Sequence, residues 1–272
     1  MTTVGVSMMR DEADVAAATV RHMAGEVDRL VVADNRSIDG TRDILRALAD
    51  ELPLTVLDDL DPAYDQAAKM SALAEKAADG DASVWVVPFD ADEVWYSPLG
   101  RIGDVLAHAG ELGACRAYAA LWDHYRTAFD IDDPDPFRAM VYRWGEPAQL
   151  PKMAFRWQPG ARIAQGNHNV DLISPGGAAT GLLHVRHFPW RSFEQMVRKV
   201  TNGDEAYQAA PELPEDMGAH WRGYARILRD YGSDVLRTEV YEKFFHFLSP
   251  ITVRPVPMAF DPAPYRRRWE QP

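Results

Sequence analysis

Over the first ~95 residues, short apolar runs alternate with stretches whose apolar residues recur every three or four positions, the signature of strands followed by helices. Thr3 to Met8 reads as a strand. Asp11 then offers a helix N-cap, with Asp14 three residues on, and Ala16, Val20, Met23 and Val27 follow at helical spacing. Arg29 to Ala33 reads as the second strand, Leu54 to Leu57 as the third, and Val84 to Phe89 as the fourth. Between them lie a helix with Ile44, Leu45, Leu48 and Leu52 on one side, and another over Asp65 to Ala78 with Met70, Leu73, Ala74 and Ala77 facing inward. Connections this short predict an α/β fold with a parallel sheet and helices on both faces.

After residue 100 the pattern changes. Ile102 to Ala109 reads as a short helix, and segments 114–125, 138–144, 152–157, 162–172 and 180–188 read as strands, mixed or antiparallel. The proline-broken acidic stretch 130–136 is a loop and a candidate lid. From Ser192 the chain turns helical: Ser192 and Gln195 form a capping-box pair, and Phe193, Met196, Val197 and Val200 make an apolar stripe. A second helix is expected from Pro214 to Tyr231 and a third over 233–247, with Pro250 to Pro272 as an extended tail. There is no internal repeat.

Composition narrows this picture. The 272 residues suffice for one large domain, or a domain with an extension, and 47% hydrophobic content with eight Trp argues for a compact globular chain. A net charge of −12 and the lack of a basic stripe argue against a nucleic-acid partner. An anionic small substrate is still compatible, because a metal and a few local cations can reverse the field in a pocket. The single cysteine, Cys115, sits in a strand pattern and reads as a buried thiol. Neither a signal-peptide core nor a run of roughly 20 apolar residues is present, so the expectation is a cytoplasmic protein with no transmembrane segment.

The chemistry collects where the strands end. Arg10-Asp11-Glu12 follows the first strand, Asp34 to Asp39 the second, and Asp90 to Glu93 the fourth. In parallel α/β sheets ligands bind at the carboxyl ends of strands, so one site is the simplest account. If the chain stays extended through Asp92, alternation points Asp90 and Asp92 to the same side. Two such carboxylates repel unless a cation lies between them, and hard oxygen ligands suit Mg²⁺ or Mn²⁺. The plain alternative for Asp90-Ala91-Asp92 is an acidic turn, and for Asp34 to Thr41 an Asx-rich turn capping the next helix at Asp39 or Thr41.

With these clusters in order, the chain resembles the family 2 glycosyltransferases of the GT-A fold, in the branch carrying a DN-S-DGT loop and a DADE-W segment. The residues that carry the resemblance are Met9-Arg10-Asp11-Glu12, Asp34-Asn35-Arg36-Ser37-Ile38-Asp39-Gly40-Thr41 and Pro88-Phe89-Asp90-Ala91-Asp92-Glu93. They continue in His187-Phe188-Pro189-Trp190-Arg191-Ser192-Phe193-Glu194-Gln195 through Lys199 and Gly203. The resemblance implies residues 1–190 as a GT-A nucleotide-sugar-binding and catalytic domain, and 191–272 as a helical extension and tail packed on it. It implies transfer of a sugar from a UDP- or GDP-type donor to a hydroxyl acceptor, with inversion. The acceptor is a small molecule, a saccharide or a lipid-linked species, and a homodimer is compatible with it.

The same resemblance assigns roles. Asp34, Asn35, Ser37 and Asp39 would hold the nucleoside, with Arg10 and Glu12 beside them, since base N–H and ribose hydroxyl groups donate to carboxylates. Asp92 would bind Mn²⁺ or Mg²⁺ directly, while Asp90 would contact ribose or the metal's water shell, and Lys69 is a candidate diphosphate contact. A late histidine often completes such a metal site; His168 ranks first, then His187, then His184. His184 and His187 point to opposite faces if 183–188 is a strand. For the base that deprotonates the acceptor, Asp123 comes first, with Glu93 and Asp171 as alternatives, because the family's usual Glu-Asp pair before a helix is missing. Trp95, Trp122, Trp157 and Trp190 could offer flat faces to an acceptor, although most tryptophans are core. The basic, aromatic stretch Tyr265 to Trp269 reads as a solvated end.

Three other classes compete. Asp90-x-Asp92-x-Val94 literally matches the nucleophile motif of HAD-type phosphatases and phosphotransferases, but that family carries it on its first strand. Sugar nucleotidyltransferases would show a Gly-rich basic loop after the first strand, which Met8 to Glu12 is not. A non-catalytic nucleotide-binding relative is the third alternative.

Overall fold

The computed structural model describes residues 1–63, 65–174, 176–210, 218–247 and 257–263. The elements in chain order are β1 (Thr3–Met9), α1 (Ala16–Glu26), β2 (Arg29–Asp34), α2 (Thr41–Ala49), β3 (Leu54–Asp58), α3 (Gln66–Ala78), β4 (Trp85–Pro88) and β5 (Glu93–Tyr96). They continue with α4 (Ile102–Glu111), β6 (Ala114–Asp123), β7 (Arg126–Thr127), α5 (Pro136–Ala139), β8 (Tyr142–Trp144), β9 (Lys152–Arg156), β10 (Arg162–Ile163), β11 (Val170–Asp171) and β12 (Gly177–His187). Helices α6 (Phe193–Gln208), α7 (Ala219–Tyr231) and α8 (Ser233–Leu236), a π-helical stretch Arg237–Phe245, β13 (His246–Phe247) and β14 (Met258–Phe260) complete the described chain.

The main sheet has eight strands in the order β3-β2-β1-β4-β9-β6-β12-β5. Strands β3, β2, β1 and β4 are mutually parallel, as the strand–helix alternation predicts. Strand β9 is antiparallel to both β4 and β6, so β6 runs in the direction of β4, and β12 is parallel to β6. The carboxyl ends of β1, β2, β4, β6 and β12 therefore share one rim. The antiparallel strands β9 and β5 contribute their first residues, Lys152 and Glu93, to that same rim.

Two apolar layers hold the sheet. Helices α1, α2 and α4 cover one face through Val20, Met23, Leu45, Leu48, Ile102 and Leu106, all in one buried cluster with Val32, Val87 and Phe89. On the other face, Met70, Leu73, Ala74 and Ala77 of α3 pack on Val4, Val6, Val31 and Val86, together with Ile163 and Val170 of the β10–β11 pair. Their helical spacing matches the inward stripe read from the sequence. Close packing against the side chain of the neighbouring strand also constrains Gly5, where a Cβ would lie 2.6 Å from Leu30 Cδ2 of β2. A third cluster joins α6, α7, α8 and the π-helical stretch through Phe193, Met196, Val200, Leu236 and Tyr241, with Tyr125 and Trp190 at its edge.

Four local expectations differ from the structure. Helix α1 starts only at Ala16 and has no side-chain cap; Asp11 instead takes a left-handed backbone, φ 56°, and accepts from Ile38 N and Asn202 Nδ2. The fourth strand ends at Pro88, and Asp90 to Glu93 is a turn closed by Glu93 N donating to Asp90 O at 3.2 Å, so strand alternation does not place Asp90 and Asp92. Gln195 does not complete a reciprocal capping box: Ser192 Oγ accepts from Gln195 N, but Gln195 Oε1 accepts from Arg191 N. The segment expected as tail contains β14, which pairs with β8, and Asp261, bonded to Arg143 and Arg186. The loop 130–136 is tied to its surroundings through Asp130 with Thr127 and Asp133 with Arg138. The start of the second C-terminal helix at Pro214 and the basic stretch Tyr265 to Trp269 lie outside the described residues.

Candidate functional site

A cavity of about 570 Å³ opens at the rim where these strand ends meet. That is within the range of small-ligand sites, roughly 300–1,000 Å³. One half is polar, lined by Arg10, Asp11, Glu12, Asn35, Gln66, Asp90, Asp92, Lys152, His168 and Asn202. The other half is aromatic, built from Tyr125, Trp190, His220, Trp221, Tyr224 and Phe245, with Asp123 and His187 also on the lining.

Asp92 is the electrostatic centre. Its Oδ2 accepts from Lys199 Nζ at 2.6 Å, Arg191 NH1 stands 3.7 Å from the same oxygen, and His187 Nε2 lies 3.7 Å from Oδ1. Burial alone would raise the Asp92 pKa, but the charges of Lys199, His187 and Arg191 outweigh it and hold the carboxyl well below the usual range. Burial pulls His187 down, yet Asp92 and Asp123 win and raise it above the ordinary imidazole value. The Nδ1–H of His187 donates to Asp123 Oδ1 at 2.7 Å, which fixes the tautomer and turns Nε2 toward Asp92.

Asp90 is held differently. Its Oδ2 accepts from Lys152 Nζ at 2.7 Å, and its Oδ1 from Asn167 Nδ2 at 3.1 Å and Gln66 Nε2 at 3.3 Å. Lys152 also stands 2.7 Å from Glu93 Oε1. Burial pushes the Glu93 carboxyl up to about 7, against the pull of Lys152, and Asp90 and Glu93 together keep the buried ammonium charged. Asn167 is fully buried with φ 59°, a strained conformation of the kind that gathers at functional sites, as do Asp11 and Arg36 (φ 60°) nearby.

The nucleoside loop after β2 divides its acids. Asp34 is buried; its Oδ2 accepts from Ser37 N, while Oδ1 is buried with no hydrogen-bond partner among the described residues. Asp39, by contrast, is spent inside the fold, accepting from Thr41 N, Thr41 Oγ1 and Ala13 N. Ser37 Oγ accepts from Asp11 N, and Asn35 Nδ2 donates to Asp59 and Asp61. Arg10 pairs with Glu205 of α6 at 3.0 Å, and Glu12 pairs with Arg191. Burial raises Glu12, opposed by Arg191 and Lys199.

Several expected site residues are elsewhere. Lys69 is taken by Asp59 Oδ2 at 2.8 Å and Asp61 O at 2.6 Å and is absent from the cavity lining. Asp171 is exposed on the β10–β11 pair, away from the cavity. Glu93 is wholly buried, bound to Asp90 N and Trp95 Nε1, and cannot reach an acceptor. His184 accepts from Trp122 Nε1 and stacks on Tyr96, on the opposite face of β12 from His187. His168 faces the cavity, with Nδ1 on Pro151 O at 2.9 Å. Of the four expected tryptophans only Trp190 lines the cavity; Trp95 and Trp157 are core, and Trp122 lies between Arg143 and His184.

The sequence reading missed Lys199 and Arg191 as site groups although both lie inside the quoted C-terminal motif. It also missed Gln66, Lys152, Asn167 and Asn202. Lys152, one charge opening an apolar strand, was the readable signal.

A divalent ion fits part of this constellation. Asp92 Oδ1 and His187 Nε2 face each other at a span two ligands of one ion can occupy, and the Asp123 carboxylate behind His187 is the usual outer partner of a metal-binding imidazole. Among the described residues no group of three or more His, Cys, Asp or Glu is placed to hold a metal ion. Two protein ligands leave the other positions to ligand oxygens and water, as Mg²⁺ commonly binds beside phosphates.

No protein-family model matches the chain, and no curated protein does. Among solved structures it is similar to Staphylococcus aureus TarS 1-349 in complex with UDP, at 12% identity and a TM-score of 0.39, covering 89% of this chain and 77% of that one. TarS 1-349 in complex with UDP-GlcNAc matches at 13% identity and a TM-score of 0.35, over 57% of this chain; there the chain spans only 45% of the TarS chain. A Bacillus anthracis protein named as a glucose-1-phosphate thymidylyltransferase, with a sucrose, matches at 10% identity and a TM-score of 0.30, covering 81% and 83%. At these identities and TM-scores neither ligand nor activity is taken from them. No helix among the described residues is long and apolar enough to cross a membrane.

Proposed function

We propose that this chain is a metal-dependent glycosyltransferase that moves a sugar from a UDP- or GDP-type donor to a hydroxyl acceptor with inversion. The observation that carries this reading is the constellation Asp123–His187–Asp92–Lys199, held at one rim together with the buried, unpartnered Asp34 Oδ1. A buried carboxylate oxygen without a donor costs free energy unless a ligand supplies one. Asp34 does not itself line the cavity, but its neighbour Asn35 does, and a base N–H or ribose hydroxyl inserted past Asn35 is such a donor.

Asp92 and His187 would hold Mn²⁺ or Mg²⁺, which when bound neutralises the charge that develops on the departing nucleoside diphosphate. Lys199 adds a second positive group to the same corner, and Arg10 lines its edge. The acceptor oxygen forms the new bond to the anomeric carbon as the bond from that carbon to the donor phosphate breaks, and the hydroxyl proton passes to a carboxylate. Asp123 is the candidate base with access, since its side chain is 25% exposed on the lining while Glu93 is sealed.

A HAD-type use of Asp90 as nucleophile fits poorly, because both its oxygens are already bonded to Lys152, Asn167 and Gln66. The deciding experiment is a panel of UDP- and GDP-sugars with Mn²⁺ or Mg²⁺, reading release of nucleoside diphosphate. Release that needs the metal and is lost in Asp92→Asn supports the proposal. Phosphate release from a phosphomonoester without a nucleotide sugar would overturn it, and nucleotide binding without turnover across a broad acceptor panel would make the chain a binding protein.

A further inference from the structure

The aromatic half of the cavity differs in origin and chemistry from the polar half. Its residues come from the C-terminal helices and from the segments just beyond β6 and β12. Trp190 packs on Phe245 at a centroid distance of 4.8 Å and on Trp221 at 5.6 Å, Tyr125 stacks on Phe245 at 6.4 Å, and Tyr224 meets Trp190 edge-on at 6.2 Å. The cluster is thus one continuous wall, not scattered rings. Trp221 and Tyr224 are only half-buried, although aromatic side chains of this size gain most from full burial.

Charge is absent from this wall. None of Tyr125, Trp190, Trp221, Tyr224 and Phe245 ionises near neutral pH, and burial lowers the pKa of His220, the remaining member, which favours its neutral form. The cation near the boundary is Lys199, whose Nζ lies 5.9 Å from the Trp190 ring. It faces the acids of the polar half, 2.6 Å from Asp92 Oδ2. A positively charged guest at Trp190 would meet Lys199, and a negatively charged one would meet Asp123 and find Lys199 already paired with Asp92.

We propose that this wall is the acceptor compartment, and that it takes a neutral ring carried next to the reacting hydroxyl, either the C–H face of a sugar or an aryl group. The inference rests on the glycosyltransferase reading for the word acceptor, while ring binding itself does not depend on it. Its position supports the assignment: Asp123 and Tyr125 are two residues apart at the end of β6, so the carboxylate that would take the acceptor proton opens directly onto the wall. Aromatic faces are suited to such guests because they give large apolar contact and dispersion with little loss of side-chain entropy.

The test titrates the full chain, with and without UDP, against phenyl β-D-glucopyranoside, methyl β-D-glucopyranoside, phenyl phosphate and phenyltrimethylammonium, reading tryptophan fluorescence and saturation-transfer NMR. The expected result is binding of one or both neutral glucosides in preference to the two charged probes. That binding weakens about five- to tenfold in Trp221→Leu and in Tyr224→Leu, with the far-UV circular dichroism and melting temperature kept in at least one variant as proof of folding. Binding of the phenyl glucoside alone identifies an aryl guest, and equal binding of both identifies the sugar face. Preference for either charged probe, or neutral binding indifferent to both substitutions, overturns the proposal. Should wild-type protein bind the neutral probes through Trp221 but neither UDP nor GDP, the donor reading falls and the ring compartment stands.

Discussion

Lys199 Nζ lies 2.6 Å from Asp92 Oδ2, although 107 residues separate the two in the chain. Asp92 belongs to the turn after β4 and Lys199 to the second turn of α6, so this contact ties the helical segment directly to the acidic corner. Burial would discharge the lysine, but Asp92 and Glu12 outweigh it and keep the ammonium charged. A charged group there serves an incoming diphosphate as well as the carboxylate.

Lys199→Met should therefore weaken UDP or GDP binding by about 10- to 100-fold, the range for losing one charge-assisted hydrogen bond. Isothermal titration of the nucleoside diphosphate in the presence of Mn²⁺ checks it. Unchanged affinity would show that the ammonium serves Asp92 alone.

The Asp123–His187 pair separates holding a metal from orienting its ligand. Asp92→Asn and His187→Gln should each abolish measurable Mn²⁺ binding, read by the electron paramagnetic resonance of free Mn²⁺. Asp123→Asn should cost only about 10- to 100-fold in Mn²⁺ affinity, as the loss of an outer partner does. Equal loss in all three variants would give Asp123 a direct place on the ion.

Arg191 is 1% exposed and binds Glu12, Asp14 and the Phe188 carbonyl, with Asp92 close by. Its removal leaves its own buried site empty and takes one cation from the buried Asp92 and the half-buried Glu12. Arg191→Ala should destabilise the fold by about 3–5 kcal/mol, the usual cost of breaking a buried pair from one side. Urea unfolding followed by circular dichroism measures it, and a loss under about 1 kcal/mol would contradict the buried geometry.

Asp261 makes stability depend on acid. Burial would raise its pKa, but hydrogen bonds and charge from His124 and Arg186 hold it well below the ordinary carboxylate value. A depressed folded pKa contributes stability that is present above the unfolded value, near 3.9, and is lost as pH falls toward the folded one. The melting temperature should fall between about pH 5 and pH 3, and Asp261→Asn should flatten that slope while lowering the plateau. A variant as steep as wild type would assign the acid sensitivity to other carboxylates.

The half of the sheet with consecutive strands was legible because β1, β2 and β3 are each followed by a covering helix, so apolar period and pairing order coincide. The placing of Asp34 and Asp92 at one rim was legible that way, by counting which strand ends carry polar clusters. The order β4-β9-β6-β12-β5 was not legible, because antiparallel insertion places Lys152 beside Asp90 without any local signal. The same holds for Asn167, whose left-handed backbone delivers its amide to Asp90. Asp39, in a loop, and Lys69, on α3, are bonded to neighbouring groups as the plainer reading of each allows, and only coordinates show which groups those are. The aromatic wall was hidden for another reason: Trp221 and Tyr224 look like ordinary core residues of a helix until the cavity beside them is seen.

The clasp of α6 has a consequence for how the chain comes into being. Glu12, Asp14 and Asp92 are synthesised long before Arg191 and Lys199, their counterions. The nascent sheet must therefore carry these three acids without those counterions until α6 emerges and docks, and domains generally fold as units during synthesis. Contacts spanning 177 and 179 residues are also the slowest kind to form. The rim thus closes last, and a chain stalled or cut before residue 191 would display a folded sheet whose site repels itself open.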